Sequence, residues 1–168
     1  MKKYLPALVC GFAAGVLNIV PIVKSFSCCF IVPVAAYFAL VLYLKSNKDI
    51  HTIKAPQAVF LGIFTGLFAA LFSTAFDTLI LFITRNSDLQ NAVREFESVL
   101  RNLPQDDVKK DVLDMMYRMA NDITNYGFSF LYTASVLVSS IIMDSIFGLI
   151  GALIGMRVIN NRNNEMSK

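Results

Sequence analysis

Apolar residues dominate four long segments of the chain, and polar residues occupy the stretches between them. Each apolar segment has roughly 20 residues or more, which is enough for an α-helix to cross a hydrocarbon core of about 30 Å. The predicted spans are residues 4–23, 26–44, 57–84 and 127–159. The pattern therefore predicts an all-α integral membrane protein, a four-helix bundle that forms one domain over residues 1–168.

Prolines and a lysine indicate where the predicted spans begin and end. Pro21 near the end of the first span and Lys24 just after it predict a short turn, because proline disfavours continuation of a helix. Pro56 suits the first turn of the third span. A secretory signal peptide is the alternative interpretation of the first span, but its apolar run continues to Val23, long enough to cross the membrane. The last two spans are longer than a bilayer needs, so we expect them to tilt, kink or project.

The segment from residue 86 to residue 125 has a different pattern, which predicts a helical hairpin outside the membrane. Apolar residues recur at helical spacing on either side of Pro104, so the segment predicts two amphipathic helices. Phe96 and Met116 lie on their apolar faces. We expect these faces to be covered by each other, by the membrane surface or by a partner, because exposed they would form an apolar patch.

Basic residues near the ends of the spans indicate the orientation in the membrane. They cluster on the side that carries both termini and the loop between the second and third spans. The basic residues on this side are Lys2, Lys3, Lys45, Lys48, Lys54, Arg157, Arg162 and Lys168. The distribution predicts a multi-pass protein of the cell (inner) membrane with both termini cytoplasmic and the helical insert extracytoplasmic.

The composition agrees with a membrane protein and argues against other classes. Hydrophobic residues make up 56% of the chain and charged residues 16%, whereas about 25% of a soluble domain is charged. No basic stretch with interleaved aromatic residues is present, so we expect no nucleic-acid binding. The sequence has no phosphate-binding glycine loop, zinc motif or Ser/His/Asp constellation, and its one histidine lies in a polar loop. We therefore expect no enzyme activity, no cofactor and no metal site.

Glycines recur at helical spacing in the first, third and fourth spans. They are Gly11, Gly15, Gly62, Gly66, Gly148, Gly151 and Gly155. Small residues let helix backbones approach closely in a membrane, where no hydrophobic drive brings helices together. We expect the third and fourth spans to touch each other, or a second copy, along these glycines; the alternative is that glycine is simply frequent in spans. The similar glycine pairs of the first and third spans fit either a parallel internal repeat or a chance match.

Two acidic residues, Asp77 and Asp144, lie inside apolar segments. An intramembrane acid costs several kcal/mol unless it is paired or hydrated, so both are candidate polar sites. Ser140 lies one turn from Asp144 and is a candidate hydrogen-bond donor. Helical rise places the two acids at depths about 10 Å apart, which argues against a shared proton. The structural alternatives are a hydrated carboxylate near the interface for Asp77 and an acid that ties helices together for Asp144.

The glycine-rich segment from Gly11 to Pro21, the neighbouring cysteines Cys28 and Cys29, and the helical insert before a glycine-rich last span resemble uncharacterised small prokaryotic four-span membrane proteins. The resemblance covers most of the chain and implies the same topology. It implies no activity and no residue roles. We expect the two cysteines to pack structurally, because no histidine or further cysteine lies near them in sequence to complete a metal site.

The sequence leads to two functional hypotheses. The first is a noncatalytic membrane scaffold or accessory subunit that acts through helix association in the bilayer and through its extracytoplasmic insert. Its expected partners are the lipid bilayer and either further copies of the chain or a larger membrane complex. The second is a small oligomeric transporter or ion-conducting protein in which Asp144, or Asp77, binds a proton or cation.

Overall fold

The computed structural model describes residues 4–20, 30–47, 52–84, 95 and 107–166. Over this part of the chain the fold is all-α, with five helices, 91% helical content and no strand. The helices are α1 (Leu5–Leu17), α2 (Val32–Ser46), α3 (Ala55–Thr84), α4 (Asp107–Tyr126) and α5 (Phe130–Met166). The predicted all-α class is confirmed.

Two of these helices are long and apolar enough to cross a membrane, over Ala55–Thr84 in α3 and Phe130–Asn163 in α5. The helices α1 and α2 are also apolar but have only 13 and 15 residues. At 1.5 Å per residue they are about 20 and 23 Å long, shorter than a hydrocarbon core of about 30 Å. By length and composition, two helices therefore qualify as membrane spans.

Each of the first two helices has a distinctive residue near one of its described ends. Asn18 follows the last residue of α1, and its buried side chain donates to the hydroxyl of Ser73 at 3.3 Å. At the other boundary, Pro33 lies in the first turn of α2, where its missing N–H costs nothing. The predicted turn around Pro21, together with the neighbouring cysteines, lies outside the described residues.

The chain divides into two compact units. The first comprises Met1–Phe76 and Leu137–Lys168, and the second comprises Asp77–Val136. The helices α3 and α5 contribute residues to both units. The prediction of a single domain over residues 1–168 stays a prediction.

Small residues form much of the interior of the first unit. Its buried alanines are Ala7, Ala14, Ala36, Ala39, Ala58, Ala69, Ala70 and Ala152. Among the described residues of this unit, Leu40, Val32 and Thr65 are the largest side chains with less than 2% exposure. The helices are therefore close together, because alanine and glycine leave little volume between their backbones.

Large apolar side chains lie instead on the outer surface of the same unit. On α5 an outward ridge recurs every four residues, one helical turn apart. It consists of Ile142, Ile146, Ile150, Ile154 and Val158, which are between 43% and 59% exposed. Val9 and Phe12 of α1 and Phe38 of α2 are similarly exposed. This arrangement is the reverse of the usual one in water-soluble proteins, in which branched apolar residues are mostly buried.

The second unit contains the junction between α4 and α5. Gly127 has a φ of 73°, a left-handed conformation that suits glycine after the last turn of a helix. Ser129 then precedes α5, and its hydroxyl accepts a hydrogen bond from the N–H of Tyr132 and donates one to Asp122. On α4, Met116 is partly buried. Phe96 and nearly all of the first predicted insert helix lie outside the described residues.

Candidate functional site

The helices α3 and α5 meet at glycines from both sides. A Cβ atom placed on Gly62 would lie 2.6 Å from the carbonyl oxygen of Gly148, and one placed on Gly148 would lie 2.5 Å from the carbonyl oxygen of Gly62. Cβ atoms essentially never come within 3.0 Å of such atoms, so neither position has room for a side chain. The two helices therefore touch backbone to backbone at this point.

Gly66 extends this contact by one turn and brings α3 against Asp144. A Cβ atom on Gly66 would overlap the carbonyl group of Asp144 and approach the Cα atom of Ser145 to 2.8 Å. Residue numbers rise on α3 as they fall on α5, so the two helices are antiparallel here. Asp144 is only 3% exposed. The predicted polar residue thus lies within the glycine contact itself.

Farther along α5, Gly151 and Gly155 face α2. A Cβ atom on Gly151 would overlap the backbone of Pro33, and one on Gly155 would lie 2.9 Å from the ring of Tyr37. Residue numbers rise by four on both helices, from Pro33 to Tyr37 on α2 and from Gly151 to Gly155 on α5, so the two helices run parallel here. Sequence reasoning missed Pro33, which both begins α2 and supplies the backbone against which Gly151 packs.

The glycines of α1 face α3. A Cβ atom on Gly11 would lie 2.6 Å from the Cβ atom of Phe68 and 2.9 Å from the carbonyl oxygen of Thr65. A Cβ atom on Gly15 would lie 2.7 Å from the Cβ atom of Phe72, so α1 and α3 run parallel. The helices α1 and α2 also contact each other. Each glycine that the sequence singled out therefore lies at a contact between helices.

The glycine pairs of the conceivable internal repeat meet different partners. Gly11 and Gly15 face α3, which runs parallel to α1, whereas Gly62 and Gly66 face α5, which runs antiparallel to α3. A duplicated pair of helices would be expected to reuse its glycines at equivalent contacts. The contacts do not repeat, which favours a chance match in apolar sequence.

Buried polar side chains accompany these contacts. Asn18 is 6% exposed, Ser73 8% and Thr65 fully buried. The hydrogen bond from the Asn18 amide to the Ser73 hydroxyl joins the end of α1 to α3, whereas the Thr65 hydroxyl donates to the carbonyl of Leu61 within α3 at 2.7 Å. A single intramolecular hydrogen bond contributes about 0.5–1.5 kcal/mol net, so it supplements close packing rather than replacing it.

The predicted polar residues differ in their burial and in the unit to which they belong. Ser140 and Asp144 lie one turn apart on α5 in the first unit, and Ser140 is only partly buried. Asp77 is also partly buried and belongs to the second unit. Within the described ranges, no three His, Cys, Asp or Glu side chains group together in a way that could hold a metal ion.

An asparagine near the end of α5 makes a pair of hydrogen bonds that sequence reasoning missed. The N–H of Ile53 donates to Oδ1 of Asn160, and Nδ2 of Asn160 donates to the carbonyl of Ile53, both at 3.0 Å. Ile53 is 3% exposed, so its backbone groups need partners within the protein. The asparagine supplies both and fixes the segment before α3 to α5. No periodic pattern signals such a pair.

No family model matches the chain, and no curated protein or solved structure matches it either. The likeness to small prokaryotic four-span proteins therefore stays a resemblance. A function has to be argued from the residues and their contacts.

Proposed function

We propose that the chain is a noncatalytic integral membrane protein, a scaffold or accessory subunit that works by helix association. The observation that carries the proposal is the reversed polarity of the first unit, with small and polar residues inside and branched apolar residues outside. Each Å² of apolar surface left in water costs about 25 cal/mol, whereas lipid solvates the same surface without that cost. The glycine contacts supply the close packing by which helices associate in a bilayer.

In this proposal four helices cross the membrane as a bundle. The directions of the contacts support it, because α1 and α3 run one way while α2 and α5 run the other, as four successive crossings require. The short helices α1 and α2 are accommodated by local thinning of the bilayer or by the residues that flank them. The pairing of Asn160 with Ile53 supports placing the loop before α3 and the end of α5 on the same side of the membrane. Basic residues there make this the cytoplasmic side.

We predict that an impermeant thiol reagent applied to intact cells labels α4 but not the end of α2. In a chain with its native cysteines replaced by serine, Asn121→Cys should react directly, because this exposed residue belongs to the extracytoplasmic insert. Ser46→Cys, equally exposed at the end of α2, should react only after the membrane is opened. The reverse labelling order would show that the orientation is wrong, and release of the chain by alkaline carbonate would show that it is not inserted.

The scaffold role predicts a stable protein partner in the bilayer. The full chain should be crosslinked in native membranes before extraction, so that weak contacts survive detergent. We expect a discrete product larger than the 18.7 kDa chain, containing either a second copy or another membrane protein in fixed stoichiometry. A chain that stays monomeric at every crosslinker concentration would contradict a scaffold or subunit role.

The second candidate is a small transporter or ion-conducting oligomer, and the burial of Asp144 favours it. An acid buried between helices can take up and release a proton or cation when the helices rearrange. The close backbone contact at Gly66 opposes such a rearrangement, which is why we place this candidate second. Proton uptake by liposomes containing the chain, abolished by Asp144→Asn and retained by the exposed Asp111→Asn, would establish it instead.

A further inference from the structure

We propose that a groove between α2 and α5 binds an anionic phospholipid of the cytoplasmic leaflet. This inference rests on the proposed membrane insertion. The groove lies in the first unit and has a volume of about 280 Å³. Its polar end is formed by Lys45, Arg162 and Asn163, and its walls include Tyr37, Val41 and Val158. The argument depends on the order of these residues along the two helices.

The polar end carries two cations from different helices. Lys45 lies in the last turn of α2 and Arg162 lies on α5, and both side chains are exposed. No acidic side chain from the described part of the chain lines the groove. An arginine can bind a phosphate with two parallel hydrogen bonds, and a lysine adds a point charge beside it. The chemistry of this end therefore fits a phosphate group.

The end of α2 also has a weak opposing charge. The last carbonyls of a helix carry about half a negative charge, which disfavours an anion. Two full positive charges outweigh it, and Lys45 lies directly in the last turn, where it compensates that partial charge. The balance at this end of the groove is positive.

The apolar walls lie on the side of the groove that faces the middle of the membrane. Tyr37 precedes Lys45 by two helical turns, about 12 Å, and Val158 precedes Arg162 by about 6 Å. Because α2 and α5 run parallel, both walls lead in the same direction from the cations. A phospholipid has the same order, with its phosphate at the surface and its acyl chains below. A free phosphate would use only the polar end.

The position of the groove selects the leaflet. Lys45 and Arg162 flank the ends of the predicted second and fourth spans, on the side where the basic residues concentrate. Basic pockets between transmembrane helices on the cytoplasmic side are a recognised form of anionic lipid site. The expected ligand is therefore a lipid such as phosphatidylglycerol rather than the zwitterionic phosphatidylcholine.

The test measures which lipids the full chain retains. The protein is placed in nanodiscs of mixed phosphatidylcholine and phosphatidylglycerol, released, and examined by native mass spectrometry. We expect wild type to retain phosphatidylglycerol preferentially. The Lys45→Gln/Arg162→Gln variant should lose this preference by about tenfold or more, since each basic residue near an anionic surface contributes about fivefold. Unchanged preference in this variant would overturn the site.

The matched control removes the same two residue types from the same side. Lys54→Gln/Arg157→Gln changes the net charge equally, both residues are exposed, and neither lines the groove. It should retain the preference. An equal loss in this control would mean that the basic surface as a whole attracts the lipid, and the groove proposal would fail.

A second pair of variants tests the acyl part of the site. Val158→Trp fills the apolar wall and leaves both cations in place, so it should lower phosphatidylglycerol retention. Ile154→Trp, one turn earlier on the same outward ridge but outside the groove, should not. Unchanged phosphatidylglycerol retention in Val158→Trp would overturn the lipid proposal. Loss of phosphatidylglycerol from wild type on addition of inorganic phosphate would overturn it as well, because the groove would then be a simple anion site.

Membrane insertion is measured by carbonate extraction of the native membranes from which the chain is purified. If wild type resists carbonate extraction but shows no preference for phosphatidylglycerol, the lipid site alone is overturned. Extraction by carbonate would overturn the proposed membrane function, and the lipid site with it.

Discussion

Replacing Gly66 with alanine should weaken the association of α3 with α5 and destabilise the fold. The added Cβ atom would overlap the carbonyl group of Asp144 and press on Ser145. These are backbone atoms, which cannot rotate away as the end of a side chain can. The helices must move apart, and the neighbouring contact of Gly62 with Gly148 opens with them. Overpacking of this kind costs about 1–3 kcal/mol and sometimes more.

The measurement is thermal unfolding of the detergent-solubilised chain, followed by circular dichroism. Gly66→Ala should unfold at a clearly lower temperature than wild type, and Gly66→Leu should fail to yield folded protein. Ala75→Leu is the control, because Ala75 is exposed on α3 and has room for the larger side chain. Equal unfolding temperatures for Gly66→Ala and wild type would show that the two backbones are not in contact.

The same reasoning applies where α5 meets α2. Gly151→Leu should be destabilising because the backbone of Pro33 occupies the space of its side chain. Leu149→Ala should be milder, since Leu149 is only partly buried and its removal leaves a smaller cavity than a core deletion would. A larger effect at residue 149 than at residue 151 would invert the assignment of the two faces.

The positions of the packing glycines and the contact between α3 and α5 could be predicted from the sequence, but the contacts of the other glycines with α2 and α3 could not. Spacings of three and four residues place side chains on one helical face. A face is wide enough to meet two neighbours, so Gly148 contacts α3 while Gly151 and Gly155 contact α2. Spacing within one helix carries no information about which helix lies opposite. The same limit explains why the pairs in α1 and α3 looked equivalent although they are not.

Helix ends were harder to predict because an apolar run does not show where a helix stops. The helix α1 ends at Leu17 inside such a run, and the sequence does not show that the next residue, Asn18, bonds to Ser73 of α3. The start of α2 did have a local signal, since Pro33 favours a first turn. The bounds of the first two predicted spans stay a prediction, because residues 21–29 lie outside the described part of the chain. The chemical function could not be predicted, because the candidate polar site consists of residues that serve packing as readily as transport.

Replacing Asn160 with aspartate should detach the segment before α3 from the end of α5. One carboxylate oxygen can still accept from the N–H of Ile53, but the other replaces the amide nitrogen and faces the Ile53 carbonyl. Two acceptors then oppose each other where a donor and an acceptor met at 3.0 Å. A buried carbonyl without a donor costs about 1–3 kcal/mol, and repulsion from the negative charge adds to it. Asn160→Leu removes both hydrogen bonds and should cost at least as much.

The two variants differ in one measurable respect, the hydrogen exchange of the Ile53 amide. Asn160→Leu should expose this N–H to exchange, because its only acceptor in the described structure is lost. Asn160→Asp should lower the unfolding temperature while keeping much of the protection, because its carboxylate still accepts from the same N–H. Asn161→Asp is the control, an exposed neighbour given the same charge. Equal unfolding temperatures for the two aspartate variants would mean that the charge alone, rather than the broken pair with Ile53, causes the effect.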